Sequence, residues 1–248
     1  MKKWNWWRIA KPDRYASILL DWQSAERVTG LSDGNTVSPW ADLSGNGRDA
    51  TQATDSLRPT YQTSELGTLP VIRFDGTDDY LELGAAGWLA EGTTTFSIFV
   101  VYRITQTTAE NMLLSSSGNP ATAAGAFIDY RGDTANDQMD SRVGNGTSAD
   151  SLSTNTTSAS GTHIYVFQRD GTNVEGWIDG TAAGSVTDNA LNFNTTNQLR
   201  MGAQSPTAGV YLNGDLAEIF ILGASLNIDT RHHLSRQLGR KWRIAYTL

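Results

Sequence analysis

Cysteine is absent from the 248 residues, so no disulfide framework and no thiolate metal site is available to the chain. Histidine occurs three times, and His232 and His233 are adjacent, so no imidazole pair has the spacing of a helical metal site and no Ser/His/Asp arrangement suggests itself. Proline is scarce at six, against 24 glycines, which points to many tight turns rather than a disordered chain. No apolar stretch approaches the roughly 20 residues of a membrane span. The opening WNWWRIA is short, broken by Arg8 and followed by Lys11-Pro12-Asp13-Arg14, unlike a secretory signal, so we expect a protein made in the cytoplasm and not exported by its own N-terminus. The net charge is −7, and Lys2, Lys3, Arg8, Lys11 and Arg14 against Asp13 give the first fourteen residues +4, leaving −11 for the remainder. So acidic a body argues against nucleic acid as a partner, because that affinity comes largely from neutralised phosphates.

What the chain does have is a succession of short apolar runs separated by turn signals. Asp-Gly or Asn-Gly occurs at residues 33, 46, 75, 145, 170, 179 and 213, dipeptides that accept the positive φ of hairpin turns. Between them lie SILLDW (17–22), VIRFD (71–75), YLEL (80–83), FSIFVVYRI (96–104), MLLSS (112–116), AFIDYR (126–131), HIYVFQR (163–169), VEGWID (174–179), QLRMGA (198–203) and LAEIFIL (216–222). Their β-branched and aromatic content favours strands. HIYVFQR and VEGWID, joined at RDGTN, read as a hairpin. The Ser/Thr/Asn-rich stretch 145–162 reads as a long exposed loop carrying at most one polar edge strand. One segment departs from this pattern. Leu234, Leu238, Trp242 and Ala245 recur at helical spacing, which predicts a helix over about 228–245, capped by Asn227 or Asp229 and ending in Arg240, Lys241 and Arg243. Many strands and one late helix imply an all-β sandwich of two antiparallel sheets.

The order of SILLDWQSA, VSPWADLSGNGRDATQ, LPVIRFDGTDDYLEL, FSIFVVYRI, RDGTNVEGWIDG, LRMGA and GDLAEIFILGASLN, then RHHLSRQLGRKW, resembles the laminin-G-like branch of the concanavalin A-like lectin/glucanase superfamily. The resemblance covers roughly residues 16–243 and implies a jelly roll. It divides the chain into an N-terminal arm, 1–15, and a laminin-G-like jelly-roll domain, 16–248, ending in the helix. The superfamily contains enzymes, lectins, adhesion modules and virion parts, so the fold alone does not choose the function.

Retaining glycosidases of the superfamily carry E-x-D-x-x-E on one strand, which sets alternate carboxylates on one face. None of Glu26, Glu65, Glu82, Glu91, Glu110, Glu175 and Glu218 begins that pattern. Asp215 and Glu218 are three apart, and a straight strand would turn them to opposite faces. We therefore expect no enzymatic activity.

Binding is the better expectation. Trp40, Trp88 and Tyr211 are the aromatic candidates for a sugar platform among rim loops, although a Trp in a sandwich is by default core. Calcium is the one cofactor to consider, because many relatives hold it with rim-loop oxygens. Asp42 and Asn46 in ADLSGNG are the first candidates, and Asp75, Asp78 and Asp79 in FDGTDDY the second, with plain turn chemistry the competing explanation for both.

The arm MKKWNWWRIAKPDR has no counterpart in the family. Its Trp4, Trp6, Trp7 and Arg8 are anchors of the kind that dominate interfaces. The arm either folds back on its own domain, docks to a partner or touches a membrane interface. The combined expectation is a non-enzymatic phage virion protein, a head decoration, head fibre or tail component. Residues 1–14 would attach it to a capsid or other virion protein, and the lectin-like domain would meet host-surface polysaccharide. Virion parts leave by lysis and need neither signal nor cysteine. The alternative is a bacterial carbohydrate-binding or adhesion module.

Overall fold

The computed structural model describes residue 15 and residues 17–89, 95–105, 107–117, 125–132, 137–144, 149–153, 160–187, 197–206 and 209–247. The strands among them are β1 (Leu19–Ser24), β2 (Thr60–Leu66), β3 (Leu69–Asp75), β4 (Leu81–Ala85), β5 (Phe96–Ile104), β6 (Glu110–Ser115) and β7 (Gly125–Arg131). They continue with β8 (Gln138–Gly144), β9 (Ala149–Ser153), β10 (Gly161–Asp170), β11 (Asn173–Ile178), β12 (Thr181–Thr187), β13 (Gln198–Met201) and β14 (Asn213–Leu222), followed by the helix α1 (Ile228–Trp242).

They form two antiparallel sheets. The larger runs β12-β11-β10-β5-β14-β3-β2, with β1 also on β14, and the smaller runs β4-β13-β6-β7-β8-β9. The inner faces meet through Val100, Tyr165 and Ile219 on one side and Tyr130, Met139 and Leu199 on the other, all at most 1% exposed. The hydroxyls of Tyr165 on β10 and Ser141 on β8, 2.7 Å apart, join the sheets through the core. Beside Tyr165, residue 176 is glycine because a Cβ there would lie 2.7 Å from that hydroxyl.

The nine-residue run FSIFVVYRI is β5, and eight of its nine residues are buried. A strand buried on both faces needs a cover outside as well as a core inside, and α1 supplies it. Asn227 caps the helix, its Oδ1 accepting from the Thr230 N–H at 2.9 Å, and Arg243 ends it at φ +58°. The helix is thus shorter than the expected 228–245. It lays Leu238 and Trp242 onto the sheet, and at Gly239 a Cβ would stand 3.0 Å from the Ile244 carbonyl. The glycine that weakens the helix therefore lets the tail fold back against it. No helix among the described residues is long and apolar enough to cross a membrane.

β14 is the centre of the large sheet. Along one side, Asn213–Leu216 pairs with β3 and Glu218–Leu222 pairs with β1, and the other side pairs with β5. A register shift between Leu216 and Glu218 corrects the expectation for the two acids of this strand. Asp215 lies opposite Arg103 and Glu218 opposite Val101. Arg103 and Val101 are two apart on β5 and share a face, so their partners do too.

Candidate functional site

Three chain segments meet at one rim of the sandwich. The turn after β3 brings Gly76, the start of β6 brings Glu110 and Asn111, and the approach to β14 brings Tyr211 and Asn213. Asn213 ties them together. Its backbone N–H donates to Asn111 Oδ1 at 2.7 Å, its Nδ2 donates to the Asp75 carbonyl at 3.2 Å, and its Oδ1 accepts from the Thr105 hydroxyl at 2.6 Å. Gly76, at φ +78°, lets the turn lie against Asn213, because a Cβ would be 2.6 Å from the Asn213 Cβ. The result is a cavity of about 340 Å³ lined by Glu110, Asn111, Val210, Tyr211 and Asn213 as well as Gly76. Small-molecule sites are concave, with a few placed polar groups among apolar ones, and this cavity lies at the small end of their usual range of about 300–1,000 Å³. The half-buried Tyr211 offers an apolar ring, and the half-buried Asn213 amide and Glu110 carboxylate offer a donor and acceptors, while the buried Asn111 spends its amide on the Ala109 carbonyl and the Asn213 N–H.

The adjoining turn is acidic. Carboxylate oxygens of Asp75, Asp78 and Asp79 lie within 4.8 Å of one another. Asp79 accepts from the Asp75 N–H at 3.0 Å, and Asp75 accepts from the Thr77 N–H at 2.8 Å. Burial, then the charges of Asp75 and Asp78, push Asp79 up to about 6. This donor set is of the hard-oxygen kind that calcium takes.

Asp42 and Asn46 do not fit calcium as arranged. Asp42 accepts from the backbone N–H groups of Ser44 at 2.7 Å, Arg48 at 3.1 Å and Trp22 at 3.3 Å, and from the Ser44 hydroxyl at 2.8 Å. Burial raises its pKa, but these bonds outweigh it and hold the carboxyl below its ordinary value. Asn46 turns its Nδ2 to the carbonyls of Leu19 at 2.9 Å and Leu20 at 3.0 Å, where an amide oxygen would be repelled. The Arg48 guanidinium donates to the same Leu20 carbonyl at 2.7 Å. Turn chemistry accounts for this loop.

The aromatic candidates separate. Trp40 is 1% exposed and belongs to the core, so it presents no ring to a ligand. Trp88 sits in a 3₁₀ turn at Ala86–Leu89, and its side chain lies outside the described residues. Tyr211 is at the rim cavity. Trp4, Trp6, Trp7 and Arg8 lie outside the described residues. Sequence reasoning missed Asn111 and Asn213, because Asn213-Gly214 reads as a turn but opens β14.

The two acids of β14 are engaged. Asp215 is fully buried and accepts from Arg73 Nε at 2.8 Å and Arg103 Nε at 2.6 Å. Glu218 accepts the indole N–H groups of Trp22 at 2.9 Å and Trp242 at 2.6 Å, with Lys241 Nζ at 2.8 Å. On the outer face of the small sheet, Asp129 pairs in register with Asp140, which Arg142 holds at 2.6 Å. Among the described residues no donor group reaches either oxygen of the buried Asp129. Burial, then the neighbouring Glu110 carboxyl and the Asp140 charge, push its pKa well up.

The family model for laminin G-like domains, described as the concanavalin A-like lectin/glucanases superfamily, matches residues 75–229. The chain belongs to this superfamily. No curated protein matches the chain. Among solved structures it is similar to botulinum neurotoxin type C, in work on its cell entry through two ganglioside molecules, at 11% identity and a TM-score of 0.65. That match covers 91% of this chain and 52% of the toxin chain, so this chain spans about half the toxin chain's length. It is also similar to domain 4 of an extracellular GH43 arabinanase from Geobacillus stearothermophilus, in complex with arabinotriose. There identity is 14%, coverage 89% of this chain and 98% of that one, and the TM-score 0.63. A third similarity is to the CBM40 of a Ruminococcus gnavus sialidase bound to α2,3 sialyllactose, at 14% identity, 64% and 93% coverage and a TM-score of 0.53. At such identities the likeness is one of fold.

Proposed function

We propose that this chain is a non-enzymatic glycan-binding module of a phage particle, attached through residues 1–14. The observation that carries glycan binding is the rim cavity, where the Tyr211 ring stands beside Asn213 and Glu110. A sugar presents an apolar C–H face and a ring of hydroxyls, and this set answers both. Asp75, Asp78, Asp79 and Glu110 make the rim acidic, which favours a neutral sugar over an acidic one. The neighbours whose structures involve arabinotriose, sialyllactose and gangliosides support a glycan as the class of ligand. Two features support a role without catalysis. Asp215 and Glu218 are each occupied by cations or indoles, and the raised carboxyl of Asp129 is fully buried. The virion role rests on the absence of cysteine and on the Trp- and Lys-rich arm.

Titration against neutral oligosaccharides of pentoses and hexoses tests the site. Tyr211→Ala should weaken binding about tenfold or more, the loss of about 1.4 kcal/mol of ring contact, with an unchanged melting temperature. No glycan bound, or a variant that binds like the wild type, would refute the assignment. Deleting residues 1–14 should leave a cooperatively melting domain that is missing from purified particles, and wild-type occupancy by the truncated chain would rule out the arm as the attachment. A free monomer retained on a glycan column but absent from particles would favour the bacterial-module alternative.

A further inference from the structure

A second cleft, of about 460 Å³, opens where the end of α1 meets the large sheet, and it shares no lining residue with the Tyr211 cavity. The β2–β3 hairpin brings Glu65 and Gly67 to it, β5 brings Arg103, β10 brings Thr162 and His163, and Arg243 comes from the end of the helix. All but one of the charges in its walls are matched in place. Glu65 takes Arg103 at 2.9 Å and Arg73 at 3.1 Å, Arg103 Nε donates to Asp215 at 2.6 Å, and His163 stands 2.6 Å from Asp179. Among the described residues the Arg243 guanidinium makes no ion pair and no side-chain hydrogen bond.

Two backbone positions are arranged around that side chain. Helices commonly end on a glycine in the left-handed region, because an L side chain there is sterically strained. Here the residue at φ +58° is arginine. Facing it, residue 67 is glycine, also at φ +58°, and a Cβ there would stand 2.4 Å from Arg243 Cδ and 2.9 Å from its Nε. The hairpin turn thus leaves a slot in which the arginine stem lies. A cation near the C-terminus of a helix is favourable, but Arg240 and Lys241 already supply it in the last turn.

The geometry points to this cleft as a binding site for a small organic monocarboxylate, held by the Arg243 guanidinium with Thr162 beside it. A guanidinium presents paired N–H groups that match a planar carboxylate. Glu65 and Asp179 set the charge of the occupant, because they repel a second negative charge and so disfavour phosphate and diacids. Leu66, Ile244 and Ala245 set its body, which is apolar. Small-molecule sites combine such walls with a few placed polar groups. A sugar acid is disfavoured on the same ground, since its hydroxyls would face apolar walls. The site is independent of the Tyr211 cavity and does not rest on glycan binding.

The test is calorimetric titration of the full chain with benzoate and hexanoate, beside benzamide, inorganic phosphate and glucuronate. The two monocarboxylates should bind. Benzamide keeps the ring but not the charge, and should bind at least about tenfold more weakly, the loss of one charge-assisted contact. Arg243→Gln should weaken benzoate binding to the same extent while melting like the wild type. Arg243→Gly removes the strained side chain along with the charge, and should lose benzoate without melting lower. An arginine with a structural role alone would give the reverse, a lower melting temperature with benzoate binding unchanged. Three results would overturn the site: neither acid bound at millimolar concentration, benzamide, phosphate or glucuronate bound as tightly as benzoate, or unchanged benzoate binding by Arg243→Gln. The benzamide comparison needs the wild type only, so it decides the matter even if a variant fails to fold.

Discussion

The carboxylate of Glu218 accepts the indole N–H of Trp242 at 2.6 Å, and by that bond the helix α1 is fastened to the middle strand of the large sheet. Glu218 is 2% exposed and also takes the Trp22 indole and the Lys241 ammonium, so one buried acid joins the first strand, the last strand and the helix. Removing one side of a buried charged contact leaves the other unpaired, which costs about 3 kcal/mol or more. Glu218→Gln should therefore shift the urea midpoint strongly, and tryptophan fluorescence should report Trp22 and Trp242 together. A shift too small to measure would mean that apolar packing alone holds the helix.

His163 gives the protein a pH-dependent tie. Its Nδ1 is 2.6 Å from Asp179 Oδ2 and its Nε2 is 2.8 Å from the Ser160 carbonyl. Both partners are acceptors, so both ring nitrogens are satisfied only in the doubly protonated form. Burial pulls the pKa down, but Asp179 and Ser160 outweigh it and raise it above the ordinary value. The folded state then binds more protons than the unfolded state. The contribution of His163 is complete below about pH 6.5, the unfolded value, and is lost as pH rises through the raised native value. Wild type should lose stability from pH 6 to pH 8.5 relative to His163→Gln, and parallel profiles would refute the assignment.

Asp79 works in the same direction at lower pH. Its carboxyl, pushed up to about 6, binds its proton more tightly in the folded state than in the unfolded one, so its ionisation costs stability as pH rises through that value. Asp79→Asn should raise the melting temperature at pH 7.5 and leave it nearly unchanged at about pH 3, below the ordinary carboxyl value of about 3.9. An equal change at both values would show that the acidic turn is not repulsive.

Two glycines with positive φ should respond differently to alanine. At Gly202, φ +83°, a Cβ would fall 2.2 Å from the buried Phe74 ring, while at Gly34, φ +79°, it would meet nothing within 4 Å. Gly34→Ala carries only the backbone cost, about 1 kcal/mol. Gly202→Ala adds overpacking of the core and should cost about 3 kcal/mol or more. Equal denaturation midpoints for the two variants would show that the Phe74 ring gives way freely.

Legibility in the sequence followed burial. FSIFVVYRI coincides with β5 because a strand covered on both faces reads as a nearly continuous apolar run. The RDGTN hairpin appears with Asp170 opposite Asn173, and Asn227 caps the helix as one of the two residues expected to. The strands that went unread carry their partners elsewhere. β8, QMDSRVG, looks polar because Asp140 and Arg142 satisfy each other on its outer face. β12, TAAGSVT, is an edge with little buried surface to mark it. The polar stretch 145–162 holds β9 at Ala149–Ser153, the one edge strand allowed for it. The bulge that brings Asp215 and Glu218 to one face depends on the register with β5, which no local pattern encodes. Of the site, the Tyr211 ring was a candidate from the sequence, but the asparagines around it become neighbours only when β6 and β14 arrive at the same rim.

The position of β14 has a consequence for how the molecule is made. β1, β3 and β5 all pair with it, and it is the last strand in the chain. During synthesis, then, the large sheet stands as separate pieces with open edges until residues 213–222 have emerged, and pairings this distant in sequence form slowly. A nascent chain stopped before β14 would present the apolar edge of β5 to other chains, so the hazard of aggregation falls on the unfinished protein rather than on the folded one.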